Sequence, residues 1–194
     1  MSRTADLPAQ QVQLSRAVWD VLAHQGIQRL TIRAVAAAAG CTTGLVMHRF
    51  PDRRSLLRHA RQLLHERTRD RVEALEAAAA GPRAALRAVL AQGLALDAET
   101  STESIVWTGF LAAAVGDNEL TALHRTNNQA WRTRVTRLVS AVVPDWPDVR
   151  VATTTFALIA MVEGAAALAA TDPVAYPPAA QLAMLDATLA AFGL

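Results

Sequence analysis

The chain has 194 residues, of which 52% are hydrophobic and 5% aromatic, and its formal net charge is +2. This length suffices for one compact unit with a sizeable core, and abundant alanine with few strand-forming residues favours an all-α fold. Polar or charged residues interrupt every apolar run before the roughly 18–20 residues of a membrane span, and the start Met-Ser-Arg-Thr-Ala-Asp lacks a secretory apolar segment. We therefore expect a cytoplasmic protein.

Charge is divided unevenly along the chain. Residues 1–65 hold nine Arg against three Asp, a balance of +6, whereas residues 66–194 hold ten Arg against fourteen acidic residues, a balance of −4. A basic N-terminal part on a mildly acidic body is typical of a phosphate-binding module attached to a second unit. The single cysteine, Cys41, excludes an internal disulfide, and we interpret it as a small buried side chain and not as a redox sensor.

The first elements of the chain are three short helices. After a loose tail over 1–7, Pro8 suits a first helical position, and an apolar stripe follows to Gly26, which ends helix 1. Thr31 is a good N-cap for helix 2, and Thr42 is a good N-cap for helix 3. Between them Gly40 supplies a turn with positive φ.

Helices 2 and 3 have the pattern of a helix-turn-helix. Ala36 and Ala39 are small, as two helices that cross at close range require, and Val35, Cys41 and Val46 fill the wedge between them. In such a motif the second helix enters the major groove of DNA.

The same stretch resembles the N-terminal DNA-binding domain of TetR-type repressors over roughly residues 12–58. The matching positions are Leu14, Ala17, Val21-Leu22, Gly26, Thr31-Ile32, Val35-Ala36, Ala39-Gly40, Thr42-Thr43-Gly44, His48-Arg49-Phe50-Pro51-Asp52-Arg53 and Leu56-Leu57. Three positions depart from the family pattern: Met47 replaces a tyrosine that commonly touches phosphate, Arg49 a frequent second histidine, and Arg53 a lysine. The resemblance implies a three-helix DNA-binding domain (1–58) and a C-terminal helical domain for effector binding and dimerisation (59–194), about nine helices in all.

The predicted DNA contacts lie on helices 2 and 3 and at the start of helix 4. Thr43 and His48 suit base edges, and Gly44 permits close approach of the backbone; Met47 packs on a thymine methyl or on its own domain. Each polar member has an alternative role as a helix cap or a solvated surface group. The full set is Thr31, Arg33, Thr42, Thr43, Gly44, Met47, His48 and Arg53.

The body is predicted to hold six further helices. Helix 4 begins at the N-cap Asp52 and runs to Ala80, where Gly81-Pro82 stops it. Helix 5 covers 83–98, helix 6 follows a polar break at 99–103, and helix 7 runs from the Gly116-Asp-Asn118 turn to Val143. Helix 8 covers 149–171, and helix 9 follows the rigid connector 172–178.

Helices 8 and 9 are apolar over more than one face. A helix that is apolar most of the way round is buried on two sides, and a partner subunit is an economical second cover. The Val162-Glu163-Gly164 step also resembles the dimer-forming penultimate helix of the family. The predicted interface residues are Ile159, Ala160, Glu163, Ala167, Leu182, Leu185 and Leu189. Two recognition helices related by a two-fold axis would read a palindromic operator.

Helices 6 to 8 carry the candidate effector site. Asn127, Trp131 and Arg134 share one face of helix 7, and an inward polar group needs a partner, either a ligand or Glu163. The alternative is that the rings are ordinary core and that Arg134 is solvated at a rim. Members of the family usually bind a small effector in this region, and we expect an apolar or aromatic one. The candidates are Trp107, Phe110, Leu111, Asn127, Trp131, Arg134 and Phe156.

No enzyme or cofactor pattern occurs in the sequence. It has no Gly-rich phosphate loop and no metal-ligand spacing among its five His, so we predict neither a catalytic centre, a metal site nor a cofactor. The preferred hypothesis is a homodimeric repressor that binds a palindromic operator and is released by a ligand. The alternatives are an orphan regulator without an effector, and a helical small-molecule carrier or enzyme with a basic N-terminal bundle.

Overall fold

The computed structural model describes residues 7–194, and the side chains from Ala9 onward. Within this range the chain forms nine α-helices and one 3₁₀ turn (Ile27–Arg29), and the predicted all-α class is confirmed. The helices are α1 (Leu7–Gln25), α2 (Ile32–Ala39), α3 (Thr43–Arg49), α4 (Arg53–Ala78), α5 (Pro82–Ala91), α6 (Ala98–Ala114), α7 (Asn118–Val142), α8 (Asp148–Thr171) and α9 (Pro178–Phe192).

Glycines and capping residues in the sequence predicted most of the helix ends. Gly26 follows α1 with φ of 76°, and Gly40 ends α2 in the left-handed region with φ of 62°. Asp52 caps α4 through the backbone N–H of Ser55, whose hydroxyl in turn accepts from the backbone N–H of Asp52. Residues 1–6 of the predicted tail lie outside the described residues, whereas Leu7 already belongs to α1.

Two predicted boundaries in the body are wrong. Helix 5 was expected over 83–98 but ends at Ala91, and the expected break at 99–103 is helical. The reason is a second reciprocal cap: Asp97 accepts from the backbone N–H of Thr100, and the Thr100 hydroxyl accepts from the backbone N–H of Asp97. The cap moves the start of α6 to Ala98, so that the polar residues form the first turns of the helix.

The buried apolar residues form two cores. The first joins the N-terminal helices to α6 and the start of α7 and includes Val46, Leu56, Phe110 and Leu120. The second lies within the body and joins α4, α5, α7, α8 and α9. The N-terminal unit therefore meets α6 through α1 and the 3₁₀ turn.

Helix α4 connects the two cores and is tied to its neighbours by arginines. Arg54 pairs with Asp117, the N-cap residue of α7, at 3.0 Å, and Arg67 stacks over the Trp19 ring of α1 at 4.4 Å. Further along, Arg71 pairs with Glu99 at 3.2 Å and with Glu103. A displacement of α4 would therefore act on both halves of the chain.

Helix α8 is, within 7–194, the one helix long and apolar enough to cross a membrane by length and composition. The sequence-based expectation that no apolar run is long enough to span a membrane is therefore wrong for α8. An 18-residue window of this helix has a mean hydropathy of 1.7. In the fold its inner side belongs to the body core through Leu158, Val162 and Ala165. α8 is a core helix of this structure.

Candidate nucleic-acid interface and ligand cavity

The helix-turn-helix is held by local hydrogen bonds at each helix end. Thr31 Oγ1 accepts from the backbone N–H of Ala34 at 3.1 Å, and Thr42 Oγ1 accepts from that of Leu45 at 3.3 Å. Each hydroxyl acts as an acceptor in its cap, so that its own proton is free to be donated to an external phosphate. Capping and phosphate contact are therefore compatible at both threonines.

The angle between α2 and α3 is set by small buried side chains. Val35 and Val46 are fully buried, and Ala36 and Ala39 let the helices approach closely. Cys41 packs against the first core but is half-buried, so it is more exposed than the sequence interpretation predicted. From α1, Gln13 Nε2 donates to the Ala39 carbonyl at 2.7 Å and holds the end of α2.

All eight predicted DNA contacts are exposed on one unit. Met47, one of the positions that depart from the family pattern, is 54% exposed. Its side chain is therefore not buried against its own domain, which was the alternative to a contact with DNA. Arg53 already forms one hydrogen bond within the protein, because its Nη2 donates to the Ile27 carbonyl at 3.0 Å. The residues that share this exposure are Thr31, Arg33, Thr42, Thr43, Gly44, Met47, His48 and Arg53.

The cationic surface of the N-terminal unit extends beyond that set. The exposed arginines of this unit are Arg16, Arg29, Arg33, Arg49, Arg53, Arg54 and Arg58. Arg54 and Arg58 pair with Asp117 and Glu119, whereas the others form no ion pair within the part of the chain that the structure describes. Unpaired exposed arginines beside a recognition helix supply the sequence-independent part of DNA binding.

A cavity of about 240 Å³ lies between helices α4, α5, α6, α7 and α8. Its walls are lined by Arg61, Leu64, His65, Thr68, Arg69, Val72, Gln92, Gly93, Thr100, Glu103, Ser104, Trp107, Asn127, Asn128, Ala130, Trp131, Arg134, Val162, Glu163 and Ala166. A larger, more open groove of about 870 Å³ crosses α4 and α7. The charged side chains of that groove satisfy one another, so the smaller cavity is the better candidate for a ligand.

Four of the seven predicted effector residues line the cavity: Trp107, Asn127, Trp131 and Arg134. Leu111 does not line it. Phe110 is 2% exposed and belongs to the first core, although its ring lies 6.5 Å from that of Trp107. Phe156 is 60% exposed on α8 and borders a separate groove between α7 and α8, on the opposite side of their contact from the cavity wall formed by Val162 and Glu163.

The partner of Arg134 is neither of the two that the sequence suggested. Its guanidinium donates to Glu76 at 3.1 Å and to Glu73 at 3.4 Å, both on α4. Arg137 joins Glu76 from the next turn of α7 at 2.5 Å. These pairs join α4 to α7 and leave Glu163 outside the network.

Arg61, a buried cation of the cavity wall, was not among the residues predicted from the sequence. Arg61 is 5% exposed, and its Cζ lies 4.6 Å from the centroid of the Trp107 ring. Burial lowers the pKa of its guanidinium to about 10, so it stays charged at neutral pH. Periodicity contained the signal, because Leu57, Ala60, Arg61 and Leu64 occupy one buried stripe of α4.

Two carboxylates also face the cavity. Glu103 is 5% exposed and pairs with Arg71 through one oxygen, while its Oε1 has no hydrogen-bond partner among residues 7–194. Glu163 forms no ion pair with any described residue. Burial raises the pKa of both carboxyl groups, and Arg71 opposes the shift at Glu103 while Arg61 opposes it at Glu163.

Comparison with known proteins agrees with this arrangement. Residues 16–67 match the family model described as bacterial regulatory proteins of the tetR family, and residues 82–193 match the BetI-type transcriptional repressor C-terminal model. The chain belongs to the TetR family of transcriptional regulators.

The relatives of this TetR-family protein are regulators as well. The HTH-type transcriptional regulator BetI of Stenotrophomonas maltophilia (strain R551-3) is 30% identical over 158 residues, which cover 81% of this chain and 79% of that protein. A transcriptional regulator from Rhodococcus sp. Rha1 has a TM-score of 0.84 and 28% identity over 93% of this chain and 94% of its own. A regulator from Saccharomonospora viridis solved with choline has a TM-score of 0.85 and 16% identity, covering 94% and 96%. The protein is a DNA-binding transcriptional repressor of the TetR family.

The structure separates the predicted interface residues of this TetR-family chain into two groups. Ile159, Leu185 and Leu189 are 7%, 0% and 6% exposed and belong to the body core, so their side chains cannot cover a partner subunit. Glu163 faces the cavity, and Ala167 and Leu182 are half-buried. Ala160 is exposed. In α9 the larger side chains face inward and alanines face outward, whereas the outer side of α8 also carries Val149, Phe156 and Leu168.

Among the described residues, no group of three or more His, Cys, Asp or Glu side chains could hold a metal ion.

Proposed function

We propose that this repressor is a homodimer that binds a palindromic operator and leaves it when a small organic effector enters the α4–α8 cavity. The observation that carries the proposal is the double role of α4. Its N-terminus follows the recognition helix directly, and its residues Arg61, Leu64 and Thr68 form one wall of the cavity. A ligand in the cavity therefore touches the helix that positions the DNA-binding unit.

The dimer proposal is supported by the outer face of α8. Val149, Phe156 and Leu168 are 71%, 60% and 47% exposed, and Ala160 and Gly164 between them are exposed as well. This apolar stripe runs along the length of the helix, and small residues at its centre permit close approach of a second helix. Stripes of this kind mark interaction surfaces, and two-fold pairing is the commonest arrangement of homo-oligomers.

The operator proposal follows from the two-fold axis. Two recognition helices must lie about 34–36 Å apart, one turn of DNA, to enter successive major grooves. A cytoplasmic location follows from the same proposal, because the operator DNA lies there. An effector that favours a different spacing by about 1.4 kcal/mol lowers the DNA-competent population ratio tenfold.

The transmission of that change is supported by two neighbouring positions of α6 that face different parts of the molecule. Trp107 lines the cavity, and Gly109, half a turn later, packs against Ile27 of the N-terminal unit. Arg53 also donates to the Ile27 carbonyl. A shift of α6 therefore reaches the same short segment that α4 contacts.

The comparisons support a small organic effector without deciding its identity. The Saccharomonospora viridis regulator holds choline, which suggests a ligand of similar size for a cavity of about 240 Å³. We do not infer that this chain binds choline, because the two proteins share only 16% identity. The cavity wall combines the apolar surface of Trp107, Trp131 and Val162 with polar side chains such as Asn127.

The experiment combines operator mapping with ligand screening. Genomic fragments retained by the purified protein are footprinted, and we expect two symmetric protected half-sites one helical turn apart and a sedimentation coefficient of a dimer. Compounds that quench tryptophan fluorescence should also release the fragment, and Trp131→Ala should remove the response to these compounds while operator affinity stays intact. An asymmetric footprint of a monomer, or release that survives Trp131→Ala and Trp107→Ala, would contradict the proposal.

A further inference from the structure

Two hydrogen-bond donors in the cavity wall have no acceptor within the described part of the chain. Nε of Arg61 and Nδ2 of Asn127 are both buried without a partner, on side chains that are 5% and 9% exposed. A buried donor that lacks an acceptor costs free energy, and the cost is larger when the donor is charged. Arg61 and Asn127 lie on different helices, α4 and α7, and both line the same cavity.

The charge of Arg61 is also unpaired. Arg134, which shares the cavity wall, is occupied by Glu73 and Glu76, whereas no described carboxylate lies within 4.0 Å of the Arg61 guanidinium. Glu163 faces the same cavity but acts on Arg61 only at longer range. A guanidinium presents a planar set of donors that matches the two oxygens of a carboxylate.

The geometry of Trp107 argues against a simple cation at this point. An organic cation is bound over the face of an indole ring, but the chain's own Arg61 lies over the Trp107 ring at 4.6 Å. A second cation there would be repelled by the first. An anion beside Arg61 would be attracted to the guanidinium and could leave the stacking in place.

We infer that the cavity binds a small carboxylate, whose oxygens accept hydrogen bonds from Arg61 and Asn127 and whose apolar part lies against Trp131 and Val162. The cavity volume of about 240 Å³ suits a compact organic molecule. The inference rests on the proposed effector function and concerns only the head group of the ligand.

The test uses four probes of nearly equal shape. Glycine betaine and 3,3-dimethylbutyrate carry a carboxylate, with and without a quaternary ammonium, whereas choline and 3,3-dimethylbutanol carry a hydroxyl group instead. Binding to the full-length protein is measured by tryptophan fluorescence and calorimetry up to high millimolar concentrations. We expect at least one carboxylate to bind about tenfold tighter than its hydroxyl partner.

Two variants assign that preference to the named residues. Arg61→Met keeps the bulk against Trp107 and removes the charge, and Asn127→Asp keeps the shape and replaces a donor with a negative charge. Both should abolish the carboxylate preference. Asn118→Asp, at the exposed first residue of α7 and outside the cavity wall, is the matched control and should retain it. Circular dichroism confirms that each variant is folded.

The outcomes separate this inference from the proposed function. Hydroxyl probes that bind as tightly as the carboxylates, carboxylates that do not bind at all, or a preference that survives in Asn127→Asp would each overturn the inference. If choline binds best and releases DNA, the proposed effector function is supported, and the inference that the ligand carries a carboxylate is wrong. If a carboxylate binds with the expected preference but DNA is retained, the head group is right and the effector function is wrong.

Discussion

The side chain of Ile27 packs directly on the backbone of Gly109, where α6 meets the DNA-binding unit. A methyl group built on Gly109 would lie 2.8 Å from Ile27 Cγ2 and 3.0 Å from Ile27 Cβ. Distances this short require the two elements to move apart, because the atoms of Ile27 concerned lie close to its own backbone. Gly109 therefore sets how closely the helix that lines the cavity approaches the unit that reads DNA.

Gly109→Ala should weaken operator binding by displacing the DNA-binding unit from α6. Overpacking typically costs about 1–3 kcal/mol, while alanine favours the helix over glycine by up to about 1 kcal/mol, so we expect a small net loss of stability. Fluorescence anisotropy with operator DNA measures the affinity. Ile27→Ala in the same chain removes the nearer clashing atom, Cγ2, and leaves Cβ, so it should restore binding in part; a double variant as weak as Gly109→Ala alone would show that the contact does not set the position.

Arg53→Ala should weaken binding to operator and unrelated DNA by similar factors. Arg53 is exposed at the start of α4, where a cation meets phosphate and not bases, and its loss should lower the slope of log K against log salt by roughly 2 per dimer. Arg132→Ala, an exposed arginine of α7, is the control and should change neither quantity. A loss confined to the operator, with an unchanged salt slope, would assign Arg53 to a base.

Thr43→Ala and His48→Ala should instead relax sequence preference. Both residues are exposed on the recognition helix, and a lost base contact costs about 1–3 kcal/mol at the position that it reads. Binding to a set of operators with single base-pair changes measures the effect. Uniform weakening across that set would mean that the side chain contacts phosphate.

Ala160→Arg should yield a folded monomer, and Leu185→Glu an unfolded or insoluble protein. Ala160 is exposed at the centre of the apolar stripe of α8, whereas Leu185 is fully buried in the body core, where an unpaired charge costs several kcal/mol. Sedimentation and circular dichroism distinguish the two results. Ala112→Arg, on an exposed site of α6, is the control for Ala160→Arg; a dimer that persists in Ala160→Arg would place the interface elsewhere.

The free energy of unfolding should fall as the pH drops below neutrality, in part because of His59. Burial, followed by the charge of Arg49, lowers the pKa of His59 from its ordinary 6.5. As the pH falls, His59 therefore binds a proton in the unfolded chain at a higher pH than in the folded chain. The stabilising contribution of neutral His59 is fully present above the pKa of His59 in the unfolded chain, and it is lost as the pH falls through the pKa of His59 in the folded chain. His65 and His124 shift in the same direction, again chiefly through burial.

Urea unfolding at about pH 7.5 and about pH 5.5 measures this dependence. His59→Gln should reduce the difference in free energy between the two pH values, whereas His24→Gln, at an exposed site of α1, should leave it unchanged. Equal pH dependence in His59→Gln and the unaltered protein would assign the effect to other groups.

The sequence by itself determined the local features of this protein. Thr31, Thr42 and Asp52 cap their helices through hydrogen bonds to residues three positions away, and Gly40 ends α2 with the positive φ that favours glycine. Such interactions involve only neighbouring residues, and a regular order of caps and turns was enough to indicate the helix-turn-helix and its family. The start of α6 was also determined locally, but the cap formed by Asp97 and Thr100 was overlooked.

Tertiary structure alone decided which face of each helix is buried and what each charge meets. α9 is apolar on several sides, so periodicity could not tell that Leu185 faces the core while alanines face outward. Arg134 meets Glu73 and Glu76, and Arg61 meets an indole ring and no carboxylate of the described residues, because the crossing of α4 with α6 and α7 brings together residues far apart in the chain. Those pairings depend on the packing of helices against one another, which a one-dimensional pattern does not contain.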